Sequence, residues 1–279
     1  MIEIGKYNTL RVVKDLDFGV YMDGGTAGEL LLPARYVPKN TKPGDKKEVF
    51  IYHDNEGRLI CTTLHPKAIV GEFAWMQVKS VSNAGAFLDW GIMKDLLVPH
   101  REQKTEMVEG RWYLVYVYQD FVSQRIVASA RLNKFLDNVP PVYEKNQEVD
   151  LIVADVTAIG YKVIINNLHW GLIYKNEVFH SLSKGEKTKG YIKEVREDEK
   201  IDVSLSPLGY DKIDAIAQHI LDVLRQNGGY LPVHDKSDAD EIYLLFGCSK
   251  KSFKKAIGSL YKQQYITLEK EGIKAVPKE

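Results

Sequence analysis

The chain has 279 residues, enough for two to four domains. Its 38 Lys+Arg and 38 Asp+Glu cancel, which argues against a general polyanion binder acting through bulk charge and leaves only local patches. Two distant cysteines, Cys61 and Cys248, make no disulfide framework, and no apolar run is long enough for a membrane span. The N-terminal MIEIGKYNTLRVVKDLDFG has no signal-peptide pattern, so a cytoplasmic protein with no membrane partner is expected.

The first patterned stretch is LRVVKDLDFGVYMDGG (10–25). Phe18 and Tyr21 would face opposite sides of a regular strand, because side chains alternate. Two readings stay open. One ring is core and the other exposed, or Gly19 marks a bulge that swings both rings onto one face as a platform for bases.

The stretch recurs as MQVKSVSNAGAFLDWG (76–91) and LIVADVTAIGYKVIINN (151–167). From Gly19, Gly85 and Gly160 a second glycine follows 25 residues on, at Gly44, Gly110 and Gly185. A basic residue then follows at Arg58, Arg125 and Lys200, at offsets of 39, 40 and 40. Three landmarks in one register signal an internal repeat. Each unit reads as five short strands with turn signals, a size at which a small Greek-key barrel closes its own edges. The fold class expected is therefore mainly β with an α+β C-terminus. Three five-stranded OB-fold barrels fill residues 1–66, 67–140 and 141–208, joined by the short segments HPKAIVGEF and DNVPPVYEKN.

Residues 209–279 change character. DKIDAIAQHILDVLRQ carries a helical stripe of Ile213, Ile216, Ala217, Ile220, Leu221 and Leu224, and NGGYLP ends it. A second helix is expected from a capping box of Ser237 and Asp240. A third starts at the cap Ser249 with Phe253, Ile257, Leu260 and Tyr261 inward, and a hairpin turns at Glu271-Gly272. Three helices and a hairpin make a winged helix-turn-helix. Its third helix holds Lys250, Lys251, Lys254, Lys255 and Lys262, and residues 247–268 contain no acid. Such a run is either a solvated face or a nucleic-acid contact.

The first repeat resembles the RNA-binding OB module named after ribosomal protein S-one. The residues that carry this are Phe18-Gly19-Val20-Tyr21 and Asp54-Asn55-Glu56-Gly57-Arg58. The module's surface histidine falls on Pro33. The second repeat keeps Phe87 and Arg125, with Ala84 and Pro99 at the other two positions. The third loses both rings, at Ile159 and Lys162, but has Tyr174 at the histidine position and Lys200-Ile201-Asp202-Val203-Ser204 near the module's closing strand. With the C-terminal winged helix, this domain order resembles the conserved virulence factor B family of bacteria.

The resemblance implies RNA binding and a role in regulating gene expression. Candidate nucleic-acid-binding residues are Phe18, Tyr21, Asp54, Arg58, Phe87, Arg125, Tyr174, Lys200, Lys250, Lys251, Lys254 and Lys255. The partner expected is single-stranded RNA, with duplex DNA or other proteins as alternatives at the winged helix. A transcription regulator, a protein-interaction adaptor and, least supported, a ribonuclease are the rival classes. Catalysis, a cofactor and a metal are not expected. The seven histidines lack metal spacing, and no phosphate loop or nucleophile elbow appears.

Overall fold

The computed structural model describes residues 2–175, 178, 181–207 and 212–276, the last range with side chains from 216. It forms two compact units, residues 1–138 and 139–279.

In the first unit, strands β1 (Tyr7–Leu16), β2 (Gly19–Asp23), β3 (Glu29–Pro33), β4 (Lys46–His53) and β5 (Leu59–Thr62) close a barrel in the order β1-β2-β3-β5-β4. The second five-stranded set is β6 (Phe73–Ser82), β7 (Gly85–Leu88), β8 (Leu96–Pro99), β9 (Trp112–Gln119) and β10 (Ile126–Ser129). Its sheet runs β10-β9-β6-β7-β8, and the outer strands β8 and β10 approach each other without a continuous ladder. In the second unit, β11 (Glu148–Val156), β12 (Gly160–Ile165), β13 (His169–Tyr174), β14 (Lys187–Val195) and β15 (Ile201–Ser204) close a third barrel with the order of the first. The mostly-β class with three five-stranded barrels is thus present.

The glycine spacing has two physical causes. Gly19, Gly85 and Gly160 open the second strand of each barrel opposite Pro33, Pro99 and Tyr174. A Cβ on any of them would sit 2.3, 2.1 or 2.0 Å from a carbonyl oxygen, of Leu32, Val98 or Ile173. Only glycine lets the strands meet this closely. The bulge lies elsewhere. The first strand slips register after Val12, Val78 and Val153, seven residues before each glycine. The second glycines lock those bulges, because Gly44, Gly110 and Gly185 donate to the carbonyls of Val12, Val78 and Val153 at 2.8, 2.9 and 2.7 Å. The expectation of a bulge at Gly19 is corrected accordingly. The extra residue is Val13, on the neighbouring strand.

The first two barrels share a core, which their short join does not suggest. β4 buries four successive residues, Val49 to Tyr52. Val49 and Ile51 fill the first barrel, while Phe50 and Tyr52 pack with Met76, Leu88 and Trp90 of the second. The Trp90 ring stands edge-on to Phe50 at 5.4 Å, and its Nε1 donates to the Ala68 carbonyl at 2.8 Å. The segment HPKAIVGEF is therefore packed structure, with Ala68 buried and the Val70 amide bonded to the Gly5 carbonyl at 2.9 Å.

The C-terminal domain has α1 (Lys212–Gln226), β16 (Tyr230–Leu231), α2 (Ala239–Phe246), α3 (Lys250–Lys262), β17 (Ile266–Glu269) and β18 (Gly272–Ala275). The α1 stripe from Ile216 to Leu224 is buried against α2, α3 and the sheet, and Ser249 caps α3. The boundary expected at 208/209 and the Ile213 side chain lie outside the described residues. Four details differ from expectation. Asp238 rather than Ser237 caps α2 by accepting from the Asp240 amide, and Ser237 instead accepts from His234. The hairpin turns at Lys270-Glu271, with Gly272 already in β18. β16 adds a third strand. Tyr261 is exposed, one step off the stripe that buries Phe253, Ala256, Ile257 and Leu260.

Gly85→Ala is expected to lower stability by about 2–4 kcal/mol, since backbone must move to admit a Cβ. Gly258→Ala, in open space within α3, is expected to raise it by about 0.5–1 kcal/mol. Urea denaturation of both variants checks the pair. The shared core makes a second test. Residues 1–138 should melt in one transition, and two separate transitions would contradict a common core.

Candidate nucleic-acid interface

The outward positions of the second strand form the centre of each barrel's open face. Val20 and Met22 point inward, so Tyr21 points out. Its counterparts are Phe87 and Lys162, and each of the three pairs with the first residue after the bulge, Lys14, Ser80 or Asp155. Across the face each is opposite a half-buried leucine, Leu31, Leu97 or Leu172.

Phe18 sits in the turn before β2 and is 56% exposed. Its ring meets Tyr21 edge-on at 6.2 Å and 89°. Both rings thus lie outside the core, brought together by the turn rather than by a bulge at Gly19. Asp54 and Arg58 close the β4–β5 hairpin. The Asp54 Oδ1 accepts from the Glu56 and Arg58 amides, both at 2.9 Å, and its Oδ2 accepts from Arg58 Nε at 2.9 Å. Burial opposes ionisation of Asp54, but the Arg58 hydrogen bonds outweigh it and hold the carboxyl below its ordinary value. Arg58 also pairs with Glu56 at 2.8 Å. Asp54 and Arg58 therefore build the turn, with the guanidinium still exposed at its rim.

The second barrel keeps the hairpin but lengthens it by one residue. The Asp120 amide bonds to the Arg125 carbonyl at 2.9 Å, as that of Asp54 does to Arg58. At the tip stand Phe121 and Val122, 90% and 87% exposed, which the repeat pattern alone did not single out. The available signal was an aromatic in QDFVSQR, between the two hairpin-closing residues, where turn chemistry favours small polar ones. Phe87 is half-buried on the sheet.

The third barrel is built differently. Its hairpin starts with Arg196, which grips buried Asp202 with Nε at 3.1 Å and a terminal nitrogen at 2.8 Å. The same guanidinium donates to the Tyr174 hydroxyl, and the Lys193 ammonium lies 5.4 Å from the Tyr174 ring centre. Tyr174 is thus clamped in place. Lys162 lies 3.7 Å over the Trp170 ring. Lys200 is exposed and paired with Asp198 at 2.6 Å.

On α3, Lys251, Lys254 and Lys255 are exposed and Lys250 is half-buried, with its Nζ on the Lys236 carbonyl at 3.1 Å. Lys254 is 3.9 Å from Asp235. Lys251 and Lys255 have no acidic partner among the described residues. The two cysteines are buried, and burial pushes the Cys61 thiol up to about 12. Among the described residues there is no cluster of metal-ligating side chains and no helix long and apolar enough to cross a membrane.

This is a tandem of five-stranded OB barrels, the first with a pair of rings outside its core, followed by a winged helix. Residues 4–64 match the S1 domain family, the S-one module, and residues 218–274 match the CvfB-like winged helix domain. Bacillus subtilis YitL, an uncharacterized protein, is 29% identical over 92% of this chain and 89% of its own length. Conserved virulence factor B of Staphylococcus epidermidis is 27% identical over 81% of this chain and 78% of its own. A multidomain protein with nucleic acid binding domains from Streptococcus pneumoniae is 26% identical over 98% of both chains, with a TM-score of 0.43. The chain thus carries an S1 domain and a CvfB-like winged helix domain and is similar over most of its length to conserved virulence factor B, in line with the resemblance read from its residues.

Because both rings stand outside the core, Phe18→Ala with Tyr21→Ala is expected to cost at most about 1 kcal/mol, against about 3–5 kcal/mol for Phe50→Ala in the shared core. Thermal melts of the two proteins compare them. A melting point for the double variant as low as that of Phe50→Ala would mean that the rings are structural.

Proposed function

We propose that the chain is a non-catalytic cytoplasmic RNA-binding protein that regulates gene expression. It holds single-stranded RNA by stacking bases on exposed rings and by modest phosphate contacts spread along its barrels. The observation that carries this reading is the Phe18–Tyr21 pair, two rings in edge contact on the outer face of an S1 domain. Stacking suits any base, so little sequence preference is expected, with about 1–3 kcal/mol per stacked base. The hairpin ends Arg58 and Arg125 supply cations at the rim. In the third barrel Tyr174 is already held by Arg196 and Lys193, so that barrel contributes less stacking and offers Lys200 instead. The α3 lysines extend the contact to the winged helix.

A second reading has one observation in its favour. On α2, Tyr243, Leu244 and Leu245 are all exposed, which suits docking of a partner protein at the winged helix.

The test is fluorescence anisotropy with unstructured RNA of increasing length at several salt concentrations. Affinity should rise with length and then level off, because added contacts act at high effective concentration. The slope against salt should be shallow for so long a chain with no net charge. Phe18→Ala with Tyr21→Ala should weaken binding at least tenfold, as expected for the loss of about 1.4 kcal/mol or more of stacking. Tight duplex DNA binding with a steep salt slope would instead support a transcription regulator acting through Lys250 to Lys262.

A further inference from the structure

The three barrels close their last hairpin with the same backbone bond. The amide of its first residue, Asp54, Asp120 or Arg196, donates to the carbonyl of its last, Arg58, Arg125 or Lys200, at 2.9 Å in each. The tips between these residues differ. The first carries Glu56 and the third Glu197, Asp198 and Glu199, all exposed. Such tips meet the ordinary needs of a turn, and their charge repels a polyanion. The second tip reads Phe121, Val122, Ser123, Gln124, and residues 121–136 contain no acid. The shared frame does not demand this change, since the other two hairpins close without it.

The loop is braced from within. Asp120 Oδ2 accepts from the Ser123 amide and hydroxyl at 3.0 and 2.7 Å. The Gln124 amide donates to the Asp120 carbonyl at 2.8 Å, and its side-chain amide donates to the Phe121 carbonyl at 2.7 Å. Gln119 Nε2 donates to the Gln124 carbonyl at 3.0 Å. These bonds use the polar groups of the loop and leave Phe121 and Val122 projecting into solvent, 90% and 87% exposed. Arg101 stands at the base, 3.4 Å from Asp120, and the exposed Arg125 ends the loop. Phe18 has one edge against Tyr21, and Phe87 is half-buried on its sheet. At its exposure, Phe121 leaves both faces of its ring open, and one stacked base would cover only one of them.

We propose that the Phe121–Val122 tip is a wedge that inserts the Phe121 ring between two neighbouring bases of a single RNA strand and unstacks them. Apolar side chains inserted between base steps are a known way of prising a stack apart, and an aromatic one replaces the lost stacking on both sides. A tip without acids, with Arg101 and Arg125 at its base, suits a strand whose phosphates flank the inserted ring. The wedge rests on the reading of the barrels as holders of single-stranded RNA. It adds an action to that reading: the protein breaks stacking within the strand as well as holding it.

The experiment uses the full chain and a stacked single strand, oligoadenylate with 2-aminopurine at an internal position, whose fluorescence is quenched by stacked neighbours and rises when they separate. Saturating wild-type protein should raise the fluorescence. Phe121→Ser should bind about tenfold or more weakly and, at saturation, should give no rise. Phe121→Trp should keep the affinity. The tip is exposed, so Phe121→Ser should melt at the wild-type temperature, and a large drop would make the ring structural and overturn the wedge. Weaker binding by Phe121→Ser with no rise for the wild type would mean stacking on one face, which overturns insertion. Wild-type affinity and signal in Phe121→Ser would leave the tip to a protein partner and also overturn the wedge. The Phe18→Ala, Tyr21→Ala protein separates the two readings. If it loses affinity while Phe121→Ser does not, only the wedge fails. If the wild type binds no RNA, the RNA-holding reading fails with it.

Discussion

Each barrel depends on two backbone constraints that glycine meets, a close approach between strands and a turn with positive φ. At Gly19, Gly85 and Gly160 the second strand lies against a carbonyl oxygen of the third. At Gly44, Gly110 and Gly185 the chain turns with positive φ and closes onto the bulge of the first strand. The first contact closes one corner of the barrel. The second pins the bulge, and a bulged strand bends more sharply than a regular one. With both in place the inner positions fill with residues such as Val20 and Met22, Ala86 and Leu88, or Tyr161 and Val163. On the second strands the alternate positions Tyr21, Phe87 and Lys162 are left outside that core.

That placement explains why one frame carries three different faces. The first has two rings in contact and an exposed guanidinium. The second trades the turn ring for Ala84 and places Phe121 at the tip of a longer hairpin. The third fills the same places with paired groups: Lys162 on Trp170, and Tyr174 between Arg196 and Lys193. Surface that is already paired offers a ligand less, so the barrels are unequal in what they can hold. The shared core of the first two barrels adds a constraint of its own. Phe50, Tyr52 and Trp90 fix one barrel against the other, and Lys94 ties the second barrel to the hairpin of the first.

Much of this was legible in the sequence, for identifiable reasons. The glycine spacing survives where side chains diverge because a carbonyl oxygen about 2 Å from any Cβ excludes other residues at the first glycine, and positive φ favours glycine at the second. The α1 stripe and the Ser249 cap were legible because helical period and cap chemistry are local. The bulge was not, since an extra residue on a strand leaves no mark of composition, and the adjacent glycine drew attention to the wrong strand. The run Val49 to Tyr52 announces a strand buried on both faces, but nothing local says what covers the second face. Asp238 and Ser237 are both good caps one residue apart, and only the turn at His234 decides between them. Neither Phe121 nor Lys94 falls on a repeat landmark, so the repeat pattern does not mark them. The chemistry of each comes from what the fold brings near it.

Photo-crosslinking of unstructured RNA to the full chain, with the attached peptides mapped by mass spectrometry, tests the central claim most directly. The account predicts cross-links in the peptides that carry Phe18 and Tyr21 and in the hairpin that carries Phe121, with fewer around Tyr174. Cross-links confined to α3 and the C-terminal hairpin, with none on the first two barrels, would contradict it.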